Sequence, residues 1–226
     1  LEAMRTLADI AAAQAQVRGQ ATAVKFGTRE TSFAALDARS NRVGHALIAA
    51  GVAPGDRVSA LTKNHDSWYP LFFGTARARA CFAPINCRLA PAEIGFILGD
   101  AGPKLLFVGE DFFDCALAAI ADLATPPRLI ALYGEHPAFE PFDAWLGDAS
   151  AAVLADPPQL GDDVLQLYTS GTTGLPKGVV LTNANYRTFL EAATEVDGFA
   201  YGEDETVMIV MPLFHVAGTN VSFSGL

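Results

Sequence analysis

Tyr168-Thr169-Ser170-Gly171-Thr172-Thr173-Gly174-Leu175-Pro176-Lys177-Gly178 is the segment of the chain richest in chemistry. The ten residues after Tyr168 hold four hydroxyls, three glycines and one ammonium. Glycine lets backbone N–H groups converge and approach a polyanion closely, forming an anion nest. The hydroxyls of Thr169, Ser170, Thr172 and Thr173 can donate to phosphate oxygens or ligate a magnesium ion. Lys177 adds a compact positive charge, and Pro176 stiffens its approach. A Walker A loop needs Ser or Thr after its lysine and then a helix; here Gly178 follows Lys177 and a β-branched run comes next. The segment reads as strand–loop–strand, built to hold phosphates.

Outward from this loop, apolar runs alternate with helical patterns. Strands are expected at Arg57–Leu61, Cys81–Ile85, Lys104–Val108, Arg128–Leu132, Val164–Tyr168, Val179–Leu181 and Thr206–Met211. Helices are expected from Thr6 to about Val17, from a Ser32 cap to Gly51, over Asp66–Ala80, from Pro91 to near Gly99, over Phe112–Leu123, at Phe142–Leu146 and after a cap at Asn183. Ala23–Phe26 and Thr31–Phe33 read as a hairpin. Strands separated by helical crossovers imply an α/β fold with a mostly parallel sheet flanked by helices. Tyr133–Asp163, with Pro137, Pro141, Pro157 and Pro158, is expected to connect rather than to build core, as a subdomain seam or a long surface loop.

Composition closes off other classes. The chain has 226 residues, 51% hydrophobic and 18% charged, which excludes disorder, collagen-like repeats and coiled coil. The longest apolar stretch, Val207–Phe214, is far short of the roughly 20 residues of a membrane span. A net charge of −10 without a Lys/Arg run argues against nucleic-acid binding. Cys81, Cys87 and Cys115 are an odd number without C-x-x-C spacing and are expected as buried free thiols of a reducing, cytoplasmic setting. No Gly-x-Ser-x-Gly elbow, no Gly-x-Gly-x-x-Gly fingerprint and no metal-site spacing of His or Cys occurs.

The order of residues in 168–178 resembles the phosphate-loop signature of the adenylate-forming superfamily: acyl-CoA ligases, firefly-type luciferases and adenylation domains of peptide synthetases. The resemblance runs along the chain, through Thr31–Arg42, Gly55-Asp56-Arg57-Val58, Pro84–Leu89 and Met211-Pro212-Leu213-Phe214-His215. It implies the N-terminal portion of that superfamily's large domain. It also implies an ATP-dependent acyl-CoA ligase that uses ATP, magnesium and coenzyme A on a fatty or aromatic carboxylic acid. Thr169, Ser170, Gly171, Thr172, Thr173, Gly174 and Lys177 would then hold the triphosphate, Thr169 would touch magnesium, and Lys177 and His215 would be catalytic. His45, His65 and His136 are expected to be structural.

Pro84-Ile85-Asn86 and the Met211–His215 motif look more like free-standing acyl-CoA ligases than peptide-synthetase domains, which commonly carry Asp at the position of Asn86. Three rival functions stay open: a peptide-synthetase-type adenylation domain, luciferase-like oxidation and a non-catalytic nucleotide- or acyl-binding module. A homodimer stays open as well. Arg79 departs from the family, standing where Gly is common, so a different helix end is expected there; Asn183-Ala184-Asn185-Tyr186 departs as well. The family's downstream adenine and ribose motifs, hinge and C-terminal lysine are not within these residues. The chain is therefore expected to be an inactive N-terminal piece of a longer ligase.

Overall fold

A computed structural model describes residues 6–170, 175–194, 201–202 and 205–226. An Ala-rich helix, α1 (Asp9–Arg18), leads into a hairpin of β1 (Thr22–Phe26) and β2 (Arg29–Ser32). Thr6 donates its N–H (2.8 Å) and its hydroxyl (3.1 Å) to the Asp9 carboxylate, the contact expected of Thr6-Leu7-Ala8-Asp9. Ser32 caps α2 (Phe33–Ala49) by accepting the Ala35 N–H at 3.2 Å. Gly51 ends α2 with φ +86°, a conformation a β-carbon would strain.

Strand–helix units then repeat: β3 (Arg57–Leu61), α3 (Trp68–Arg77), β4 (Cys81–Ile85), α4 (Pro91–Ala101), β5 (Leu105–Gly109), α5 (Phe113–Ile120) and β6 (Arg128–Tyr133). β7 (Glu140–Pro141), α6 (Phe142–Leu146), β8 (Asp163–Ser170), β9 (Pro176–Thr182), α7 (Asn183–Thr194) and α8 (Val216–Ser224) complete the order. Seven strands form one sheet in the order β7-β6-β5-β3-β4-β8-β9. Its neighbours are parallel except for the β8–β9 pair. This is the α/β class with a mostly parallel, helix-flanked sheet that the sequence implies.

Side chains alternate across the sheet. Leu105 and Phe107 of β5 join a cluster with residues of α2 and α3, whereas Leu106 and Val108 join one with residues of α4 and α5. Both faces are covered, so β4 and β5 read as unbroken apolar runs. Trp68 and Phe72 of α3 stack at 5.3 Å, and Phe72 meets Phe223 of α8 at 4.6 Å. Truncating Phe72 to alanine would loosen both helices at a cost of about 3–5 kcal/mol. Against expectation, the 133–163 segment builds core as well as connecting: β7 extends the sheet, Phe142, Trp145 and Leu146 are buried, and Trp145 of α6 packs on Phe107 at 5.1 Å.

Three further expectations are corrected, and one element is unforeseen. Thr206–Met211 forms no strand: Met208 (81% exposed) and Val210 (75%) point outward, and the segment has no ladder partner among the described residues. β9 begins at Pro176 rather than Val179; it is an edge strand, where a residue lacking an N–H is tolerated. α7 is capped not by Asn183 but by Thr182, whose hydroxyl accepts the Asn185 N–H at 3.3 Å while the Asn185 carboxamide oxygen accepts the Thr182 N–H at 3.0 Å. Asn183 is buried instead and ties the α7 start to Leu7 and Gln159. α8 was not expected from Val216-Ala217-Gly218-Thr219-Asn220, which is poor in helix formers; packing of Phe223 holds it.

Arg79 follows α3 with φ +58°, the left-handed conformation that glycine commonly supplies. Its guanidinium grips Asp162 with two bonds (2.9 and 3.0 Å) and Asp156 with one (2.8 Å). The departure from the family pattern thus keeps the glycine-type backbone and adds a fork that fastens the segment entering β8.

Candidate functional site

The β8–β9 hairpin carries the candidate phosphate-binding residues. Its register sets Thr169 opposite Lys177, Tyr168 opposite Gly178 and Ser170 opposite Pro176. Residues opposed across an antiparallel pair share a face and residues one step along face the other way. Thr169 and Lys177 therefore project together, and both are exposed. Lys177 forms no ion pair among the described residues, in a chain of net charge −10. Of the five residues between the strands' ends, Gly171, Thr172, Thr173 and Gly174 lie outside the described residues, and Ser170 is described by its backbone alone.

The other face of the hairpin is a polar chain. Tyr168 donates its phenolic O–H to Asp100 of α4 at 2.6 Å and accepts from Gln166 Nε2 at 2.9 Å. Gln166 Oε1 accepts from Arg57 Nε at 3.0 Å, and Arg57 also reaches Asp163 at 3.2 Å. Burial first, and then the Asp100 carboxylate, push the Tyr168 phenol above its ordinary pKa, so it stays a donor. β3, β4 and β8 run parallel, so Thr169 lies at the carboxyl edge of the sheet, where open α/β sheets take their ligands.

His215 lies at the same edge but on another element, as the residue capping α8. Its Nδ1 accepts the Ala217 N–H at 3.2 Å, which assigns the ring proton to Nε2 and leaves an exposed Nε2–H donor. The turn that presents it requires Gly218, since a β-carbon there would collide with the Pro212 carbonyl oxygen. No hydrogen bond joins His215 to Thr169 or Lys177 among the described residues.

Sequence reasoning passed over Asn64, Asp100, Gln166 and Gly218. Asn64 carries no local signal beyond following a strand. Gly178 was the usable clue to Gln166 and Tyr168, because both side chains lie over it. The remaining histidines are engaged structurally: His65 stacks on Tyr133 at 4.1 Å, His45 bonds the Ala152 carbonyl at 3.0 Å, and His136 accepts the Ala138 N–H. The three cysteines are free, but only Cys81 is buried as expected, with Cys87 and Cys115 half-buried; burial pushes the Cys81 thiol up to about 12. A cavity of about 580 Å³ between β2 and α3 includes none of Thr169, Lys177 or His215, and its Arg29 and Arg39 are paired with Asp66 and Asp143.

Residues 11–226 match the profile of the AMP-binding enzyme family. This chain belongs to that family. It is 37% identical over 222 residues to a fatty acid–[acyl-carrier-protein] ligase, ScoC, of Streptomyces coeruleorubidus, covering 95% of this chain and 40% of that protein. It is 34% identical over 206 residues to a feruloyl-CoA synthase of an Amycolatopsis species, covering 90% of this chain and 38% of the relative. The inhibitor-bound N-terminal domain of FACL13 from Mycobacterium tuberculosis superposes with a TM-score of 0.82 at 32% identity, over 98% of this chain and 55% of that one. The chain thus spans about two fifths of the length of the two sequence relatives.

Proposed function

We propose that this chain is the phosphate-binding N-terminal portion of the large domain of an acid–thiol ligase, with a subdomain seam within 133–163. In that reaction a carboxylate oxygen attacks the α-phosphorus of ATP and pyrophosphate leaves, giving an acyl-adenylate. The sulfur of coenzyme A then attacks the acyl carbon, and AMP leaves as the thioester forms. The carboxylate is already ionised at neutral pH, so the first step needs no general base. The acyl group is a fatty or aromatic acid, in keeping with relatives named for each.

The observation that carries this reading is the Thr169–Lys177 pair, opposed and exposed at the sheet's carboxyl edge. Lys177 sets its ammonium against the β- and γ-phosphate oxygens, where charge gathers as pyrophosphate departs. Ser170 and the glycines Gly171 and Gly174, with Thr172 and Thr173, supply donors around the same phosphates. His215 offers its Nε2–H to an anionic oxygen of the bound acyl or nucleotide group. Magnesium, when bound with ATP, offsets phosphate charge. The Thr169 hydroxyl suits an ion that keeps most of its shell in water and phosphate oxygens, and among the described residues no cluster of three acidic, His or Cys side chains offers it a cage.

Among the described residues no helix is long and apolar enough to cross a membrane. The free thiols support a reducing, cytoplasmic setting.

Pyrophosphate exchange tests the proposal in two forms. The chain alone, with fatty and aromatic acids, is expected to stay at background, and robust acid-dependent exchange would overturn the claim that it is an inactive portion. A chimera joining it to the remainder of the Streptomyces coeruleorubidus ligase is expected to exchange. A folded chimera in which no acid supports exchange would overturn the activity.

A further inference from the structure

Asn64 lies three residues past the end of β3 and half-buried beneath the segment that carries His215. Its carboxamide oxygen accepts the Leu213 N–H at 2.9 Å, and its Nδ2 donates to the Met211 carbonyl at 2.9 Å, with the Ile209 carbonyl farther off at 3.5 Å. A carbonyl and the N–H two residues further on are the pair that a neighbouring β-strand would engage. One side chain thus takes the place of a strand for a segment that has no ladder partner among the described residues. Leu213 is held buried, 3% exposed, directly after the clamp. The His215 N–H then closes the turn onto the Pro212 carbonyl at 3.1 Å, and His215 begins α8.

We infer that Asn64 is a positioning residue: its two-bond clamp on Met211 and Leu213 fixes where His215 presents Nε2–H at the carboxyl edge of the sheet. This rests on the proposed role of His215. The chemistry of the clamp is specific. An aspartate at position 64 keeps an acceptor for the Leu213 N–H but has no donor for the Met211 carbonyl. An alanine has neither. Both leave the strand core untouched, because β3 pairs with β4 and β5 through its backbone.

The test reads amide hydrogen exchange and the ring-nitrogen chemical shifts of His215 by NMR on this chain. Asn64→Ala is expected to speed exchange at Leu213 by roughly tenfold or more, as loss of one partly buried hydrogen bond implies, while Leu106 in β5 keeps the parent rate. The His215 ring is expected to move from one tautomer toward a mixture, a change that loss of stability alone would not cause. Asn64→Asp is expected to retain part of the Leu213 protection and carries the test if the alanine variant does not fold. Parent-like exchange at Leu213 with unchanged His215 shifts in Asn64→Ala overturns the inference. So does an equal loss of protection at Leu213 and Leu106, or Asn64→Asp leaving Leu213 as exposed to exchange as Asn64→Ala does. In the chimera, His215→Ala and the Asn64→Ala/His215→Ala double variant should exchange pyrophosphate at the same rate, and a further loss in the double variant also overturns it. If the chimera fails to adenylate, the function falls while the NMR readout still decides the clamp.

Discussion

Tyr168 stands directly opposite Gly178 across the β8–β9 hairpin, and its ring occupies the space a side chain at 178 would need. A β-carbon on Gly178 would come within 3.1 Å of the phenol ring and 2.5 Å of Gln166 Nε2. Gln166 cannot simply swing away, since it is 6% exposed and bonded to both Arg57 and Tyr168. The glycine after Lys177 is thus required by the polar chain on the hairpin's back, whose far end is Asp100 on α4.

Gly178→Ala should therefore destabilise the chain by about 1–3 kcal/mol, the usual cost of overpacking a close-fitting site. Gly161→Ala is the control, because a β-carbon there meets nothing within 4 Å. Urea unfolding of the two variants checks this: Gly161→Ala should stay within about 0.5 kcal/mol of the parent. Equal stabilities for the two would show that the polar chain does not press on Gly178.

Arg79 separates backbone strain from side-chain pairing. Arg79→Ala keeps the left-handed φ of +58° and loses the grip on Asp156 and Asp162. Arg79→Gly loses the same grip but relieves the backbone. Both should be less stable than the parent, with the glycine variant the better by about 1 kcal/mol. Thermal unfolding in matched buffer measures the gap, and an alanine variant as stable as the glycine variant would contradict the conformation at 79.

The parts of the fold that could be read in the sequence were those where burial and turn chemistry agree. β3 and β4 fall on their expected bounds because the turn residues Gly55-Asp56 open the first and Asn86 closes the second. The Thr206–Met211 run has the β-branched alternation of a strand, but a strand needs a partner that sequence pattern cannot supply. α8 depends on tertiary contacts, among them the Ser222 hydroxyl donating to the Tyr69 phenol at 2.8 Å, so its weak local preference hid it. The candidate phosphate-binding segment was visible because it concentrates unusual residues in a short span. Asn64 and Asp100 reach the site only through folding, across 147 positions to Met211 and 68 to Tyr168.

Alkaline stability should follow the tyrosines. Burial raises the Tyr69, Tyr133 and Tyr168 phenols above their ordinary range and pushes Tyr186 up to about 12. The folded chain then holds protons that the unfolded chain releases near pH 10, so this stability is full below about pH 10 and falls as pH rises beyond it. Asp100→Asn removes a negative charge and its bond from Tyr168, and one phenol should ionise at lower pH in ultraviolet titration. A titration superimposable on the parent's would mean that Asp100 does not act on Tyr168.

On the proposed function, Lys177, set opposite Thr169 and exposed at the carboxyl edge of the sheet, stabilises charge on the departing pyrophosphate. The direct measurement is single-turnover adenylation by the chimera carrying Lys177→Ala at saturating ATP, alongside affinity for the acyl substrate. The account predicts a rate lowered by roughly 10²–10³, as for removal of one preorganised charge-stabilising donor, with acyl affinity unchanged. A rate within about a factor of two of the parent chimera would contradict it, since only a solvated surface lysine is lost so cheaply.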